Sequence, residues 1–154
     1  MKVIADAGKS TYIQRVLGYS PLDYGKITDY GSQRFDEYKN QNIILFDEYS
    51  GQYPITMIND ILDGQPRELP ARYANRTACF TKAFIISNYA PDELYRKERV
   101  NGKQPSFEGL LRRINEIIYM PERNVYIWQK GQPADEIIAQ LTEQGARHET
   151  EVQK

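Results

Sequence analysis

Apolar positions fall into two rhythms along this chain. In QNIILFDEY (41–49) and KAFIISN (82–88) they are consecutive, whereas in the segments between and after these runs they recur every third or fourth residue. A strand with one wet face alternates apolar and polar residues. One that is apolar at every position is covered on both faces, as in a parallel sheet flanked by helices. Both runs therefore predict buried parallel strands. After the first, Pro54 opens a helix that puts Ile55, Ile58, Ile61 and Leu62 on one face and stops at Gly64. Later, SFEGLLRRINEII (106–118) aligns Phe107, Leu110, Leu111 and Ile114 and predicts an amphipathic helix.

Weaker signals complete the order. Residues 9–17 read as a helix closed by Gly18, GKITDY (25–30) as a short strand and NVYIWQ (124–129) as a last strand. ELPARYANRTACF (68–80), strand-like at both ends and turn-rich in the middle, predicts a hairpin. The charged run 96–104 reads as a loop. PADEIIAQL (133–141) predicts a further helix, and ARHETEVQK (146–154) is too polar to order. Strands alternating with helices predict an α/β domain over residues 1–130, followed by a C-terminal helix and acidic tail over 131–154.

Composition excludes more chemistry than it suggests. A chain of 154 residues fits one domain. With one cysteine, Cys79, and one histidine, His148, no internal disulfide, Cys/His zinc cluster or histidine-based triad can be built. Cys79 is expected as a small buried hydrophobe and His148 as a solvated tail residue. No apolar run approaches the ~20 residues of a membrane span, and there is no signal peptide, so the expectation is a cytoplasmic protein. The net charge of −1 argues by itself against nucleic-acid binding, but the charge is segregated. Residues 22–63 hold eight acids and three bases, whereas residues 64–113 hold ten bases and five acids. The second stretch predicts a locally basic surface.

Three motifs carry chemistry. In AGKST (7–11), Gly8, Lys9 and Ser10 fit the end of the phosphate-binding pattern G-x-x-x-x-G-K-[ST], although its first glycine position holds Val3. In that pattern backbone N–H groups cradle phosphates, the lysine pairs with their charge and the hydroxyl binds Mg²⁺. The alternative is a helix start capped by Ser10. IILFDEYS (43–50) drives a buried strand into Asp47 and Glu48, and a carboxylate there needs either solvent or a countercharge. A metal–phosphate complex would supply one, with Asp47 holding Mg²⁺ through water and Glu48 polarising the attacking water. Finally, Asn88 ends the second apolar run, where its amide could sense a γ-phosphate or simply start the turn before Pro91.

In sequence order, GKST, IILFDEY, LDGQPRELPARYANRTACFTK, FIISN and LLRRI resemble the helicase domain of superfamily 3. The likeness is specifically to rolling-circle replication initiator (Rep) proteins of plasmids and small single-stranded DNA replicons, and it covers roughly residues 3–126. It implies an AAA+-like P-loop NTPase fold with a DNA-binding hairpin, assembled as a homo-oligomeric, hexameric ring around single-stranded DNA. ATP would lie on Gly8, Lys9, Ser10 and Thr11, with Mg²⁺ on Ser10 and Asp47. Glu48 and Asn88 would face the attacking water and the γ-phosphate. Arg72, Tyr73, Arg76 and Lys82 would touch the strand, and Arg112 or Arg113 would reach a neighbouring subunit's ATP. On a helical wheel both arginines fall away from Leu110, Leu111 and Ile114, Arg112 more nearly opposite them.

Two alternatives stay open. Related domains in replication proteins of small RNA viruses admit an RNA substrate, and the absent first glycine admits a non-catalytic DNA-binding or assembly module. Rep proteins also carry a nicking domain with a histidine pair and a tyrosine nucleophile, to which nothing here corresponds. With little room ahead of Ile4 for a strand feeding the P-loop, the chain is read as a fragment.

Overall fold

The two continuous apolar runs form neighbouring strands inside a six-stranded sheet. The structure, a computed structural model, describes residues 2–6, 11–31, 35–120 and 126–131. Its strands are β1 (Lys2–Asp6), β2 (Tyr24–Ile27), β3 (Ile43–Phe46), β4 (Glu68–Leu69), β5 (Arg76–Thr77), β6 (Lys82–Ser87), β7 (Glu116–Met120) and β8 (Tyr126–Gln129). The main helices are α1 (Ile55–Ile61) and α2 (Gln104–Arg113). The large sheet runs β2-β3-β6-β1-β7-β8, with β4 and β5 paired separately as an antiparallel hairpin. All neighbours from β2 through β7 are parallel, and only β8 runs against β7. The fold is α/β, with a mainly parallel sheet.

Consecutive apolar residues alternate between two cores because successive side chains on a strand point to opposite faces. Ile44, Phe46, Ala83 and Ile85 join Ile55, Ile58 and Ile61 of α1 and Phe107 and Leu110 of α2 on one face. Ile43, Leu45, Phe84 and Ile86 pack with Ile13 on the other. Each such aliphatic side chain, fully buried, contributes about 1.5–3 kcal/mol. The unbroken runs are thus explained by a sheet covered on both sides.

The structure departs from the sequence expectations in several elements. The helix predicted over 106–118 ends at Arg113; Ile114 is already extended (φ −76°, ψ 125°), and Glu116–Met120 is a strand between β1 and β8. Ile117 and Ile118 are β-branched and favour a pleated surface, while Ile114 kept the helical spacing going past the true end. The run 96–104 is not a loop but a chain of helical turns, broken at Asn101 and Gly102. Of the helix expected over 9–17, the described part is the turn Tyr12–Val16; Gly18 after it and Gly64 after α1 both take left-handed φ, 73° and 75°. β1 corrects the expectation of little room for a strand before the GKS motif, since Lys2–Ala5 pair with β6 and Lys2–Asp6 with β7. Cys79, expected inside, is exposed: it follows β5, where its N–H bonds the Tyr38 hydroxyl at 3.0 Å. The helix and tail expected over 133–154, with His148, lie outside the described residues.

A parallel sheet has two unlike edges. The carboxyl ends of β2, β3, β6, β1 and β7 lie along one; α1 brings the chain back to the other, where the β4–β5 hairpin precedes β6. α2 likewise returns the chain to that amino edge before β7. Among the described residues no helix is long and apolar enough to cross a membrane.

Candidate functional site

Open α/β sheets bind ligands outside the carboxyl ends of their strands, where the strand order reverses. Here the chain leaves β1 for the far strand β2, while β6 steps over β1 to β7, so the reversal lies between β6 and β1. Pairing of Ala5 with Ser87 puts the end of β1, which leads into Gly8, Lys9 and Ser10, next to Ser87 and Asn88. Pairing of Phe46 with Ile85 brings Asp47 and Glu48 to the same edge. Gly8, Lys9 and Ser10 lie outside the described residues; Thr11 is exposed at the start of the following helical turn. The first-glycine position, Val3, lies within β1, paired with Ile85 and Ile117.

Asp47 has a countercharge that the sequence did not reveal. Its Oδ2 is 2.6 Å from the Lys26 ammonium, on the neighbouring strand β2. Its Oδ1 accepts the Glu48 N–H at 3.1 Å. The Asp47 side chain is only 13% exposed and Lys26 48%, so the pair spans the boundary between core and solvent. The hydrogen bond and charge of Asp47 raise the Lys26 ammonium above its ordinary value. Where a metal–phosphate complex was expected beside the carboxylate, the chain itself provides a cation.

The backbone around Asp47 is held at many points. Its N–H donates to Ile27 O at 2.9 Å, its carbonyl accepts the Tyr30 hydroxyl at 2.6 Å, and the Tyr49 N–H reaches Ile86 O at 2.8 Å. Between them Glu48 is exposed and takes a left-handed φ of 51°, uncommon for a residue with a side chain. Its carbonyl accepts the Gln52 amide at 3.2 Å. Gly51 (φ 82°) lies so close to Leu94 that an added Cβ would meet the Leu94 carbonyl oxygen at 2.7 Å. Behind the loop, the buried Tyr49 and Tyr95 hydroxyls share a 2.5 Å hydrogen bond, and Tyr95 also donates to Tyr53 O at 3.1 Å. Burial pushes the Tyr49 phenol up to about 12 and the Tyr30 and Tyr95 phenols higher still. Strained backbone persists only where its surroundings over-determine it, and such positions cluster at functional sites.

Among the described residues no cluster of three or more His, Cys, Asp or Glu side chains is arranged to hold a metal alone. Asp47 and Glu48 are hard oxygen donors, and Mg²⁺ commonly takes one or two carboxylates, completing its shell with water and phosphate oxygens. The donor set fits that ion.

The opposite edge carries the basic residues. In the hairpin, Leu69 is buried as an anchor, while Arg72 and Tyr73 stand at the exposed tip, Tyr73 being 91% exposed. The Arg72 guanidinium lies 5.6 Å from the centre of the Tyr73 ring. Arg76 is half-buried on β5, and an Asn75–Glu68 bond of 3.0 Å closes the hairpin. Lys82, at the start of β6, donates to the Tyr19 hydroxyl at 2.9 Å and lies over that ring, so part of its capacity is used within the chain. At the end of α2 the arginines differ. Arg113 is half-buried and bonds Asp63 at 2.5 Å, whereas exposed Arg112 bonds a carbonyl of its own helix.

Sequence patterns had pointed to Asp47, Glu48, Asn88 and the hairpin. They missed Lys26, Tyr30 and Tyr95, which reach the site through strand order and carry no local signal. The chain matches no protein-family model and no curated protein.

Proposed function

We propose that this chain is the ATP-driven motor domain of a replication initiator. It acts on single-stranded DNA in a ring of identical subunits, in the cytoplasm of a cell carrying such a replicon. The observation that carries the reading is the convergence at one sheet edge of the strand entering Gly8–Lys9–Ser10, the Asp47–Glu48 pair and Asn88. A P-loop NTPase needs those parts side by side: a lysine and hydroxyl for phosphates and Mg²⁺, carboxylates for the metal shell and the attacking water, and an amide near the γ-phosphate. When bound, Mg-ATP supplies the phosphoryl group. The exposed, rigidly held Glu48 is suited to orient water, and Asp47 and Ser10 to hold the ion. Basic groups at the other edge, Arg72, Arg76 and Lys82, suit a polyanionic strand.

Phosphate release and nucleotide binding test this. Lys9→Ala should lower turnover about 10²-fold or more, and Glu48→Gln should lower it similarly while retaining ATP. Unimpaired hydrolysis in Glu48→Gln would sink the assignment. One observation favours the non-catalytic module as a second reading. Val3, at the position of the pattern's first glycine, is paired within a strand. If the wild-type chain binds an oligonucleotide but neither binds Mg-ATP nor releases phosphate, that reading holds.

A further inference from the structure

We infer that Asp36 is a positioning residue for the single-strand contact, holding the hairpin tip so that Arg72 and Tyr73 face outward together. The inference rests on the reading of the hairpin as the strand-binding element. Two paired residues on each side are a weak foundation for a projecting loop, since isolated hairpins are marginal in water. The tip needs support from elsewhere, and the turn Phe35–Tyr38 provides it at two points. The Asp36 carboxylate accepts the Arg72 backbone N–H at 2.7 Å, across 36 residues of sequence. The Tyr38 hydroxyl accepts the Cys79 N–H at 3.0 Å, on the leg just past β5, and itself donates to Gln41 O at 2.8 Å. Phe35 and Tyr38 are fully buried, and the Tyr38 ring meets Phe80 edge-on at 5.9 Å. Asp36 thus projects from a turn fixed to the core.

Its bond uses the backbone of Arg72 and leaves the guanidinium free above Tyr73. A base stacking on that ring would find the cation beside it for its phosphate. An acidic residue so near a polyanion is unfavourable by charge alone, so its sign makes the inference testable. Bare electrostatics predicts that removing Asp36 tightens binding. Positioning predicts the reverse.

The test is fluorescence anisotropy of the full chain with a labelled oligothymidylate across a range of salt. Asp36→Ala removes acceptor and charge, whereas Asp36→Asn keeps an oxygen acceptor and removes only charge. Positioning predicts that Asp36→Ala binds about three- to ten-fold more weakly, the scale of one hydrogen bond. Its salt slope should match the wild type, because no phosphate contact is lost, and Asp36→Asn should bind at least as tightly as the wild type. Equal or tighter binding by Asp36→Ala overturns the inference. Arg72→Ala and Tyr73→Ala serve as controls on the hairpin itself. If they weaken binding and Asp36→Ala does not, only the role of Asp36 fails; if they bind as the wild type does, the hairpin reading fails and takes Asp36 with it.

Discussion

Tyrosine is the residue that most shapes the acidic edge. Tyr49, Tyr53 and Tyr95 are buried, and Tyr30 packs edge-on against Tyr49 and Tyr53, so phenols form the floor beneath Asp47 and Glu48. Tyr49, pushed up to about 12, stays protonated in the folded chain after an unfolded tyrosine ionises near 10, and Tyr30 and Tyr95 are raised further. The unfolded state then binds fewer protons, so stability is intact below about pH 10 and falls as pH rises beyond it, by up to about 1.4 kcal/mol per pH unit for each group. Thermal midpoints measured from pH 8 to 12, with tyrosinate absorbance alongside, should drop steeply above pH 10. Ionisation of the buried phenols should coincide with unfolding. Ionisation of Tyr30, Tyr49 or Tyr95 near pH 10 without unfolding would contradict the packing. The Lys26–Asp47 pair, half in solvent, adds only about 0.2–1 kcal/mol, so its value is orientation of the carboxylate.

At the scale of elements, the hairpin is where function and fold separate most cleanly. If Arg72 and Arg76 neutralise phosphates, alanine at each should weaken binding to all sequences alike and flatten the salt dependence by roughly 0.7 per contact. Arg76 is half-buried and should fall short of that value, while exposed Arg72 should reach it. An unchanged slope in the double variant would remove the hairpin from the strand's path. This hairpin was legible because turn residues bracketed by strand formers are a local signal. α1 and the buried strands β3 and β6 were legible because apolar spacing reports burial directly. The end of α2 was not, because Ile114 satisfies a helical face and a strand entry equally. Lys26 and Asp36 were invisible for another reason: each meets its partner through tertiary contact, and neither sits in a pattern of its own.

For the whole molecule, the decisive fact is that the two edges are a strand's length apart. β6 runs from Lys82 to Ser87, roughly 20 Å at about 3.3 Å per residue. Arg112 and Arg113 end α2 at the edge away from Asp47, so neither reaches its own chain's Asp47 or Glu48. Arg113 is committed to Asp63, so in the proposed ring exposed Arg112 is the better candidate of the two for reaching a neighbouring subunit. Mixing two inactive proteins, Lys9→Ala and Arg112→Ala, should therefore restore part of the ATPase activity. Arg113→Ala should instead chiefly lower the thermal midpoint. No recovery in co-assembled rings would count against an arginine acting in trans. Strand order was not readable from the sequence, because parallel pairing depends on crossovers that leave no local mark.

That order also dictates a timetable. β1, written in the first six residues, pairs on one side with β6 and on the other with β7, more than a hundred residues later. Closing such long loops precedes the contacts that reward it, which slows folding. As the chain emerges, β2, β3, β6 and β1 can assemble early, but one flank of β1 remains an unpaired edge until β7 arrives, and an open edge invites pairing with other chains. The earliest of these strands thus waits for β7 to gain its second neighbour, and removing residues 1–6 would split the sheet at its centre, leaving β6 and β7 without a common neighbour.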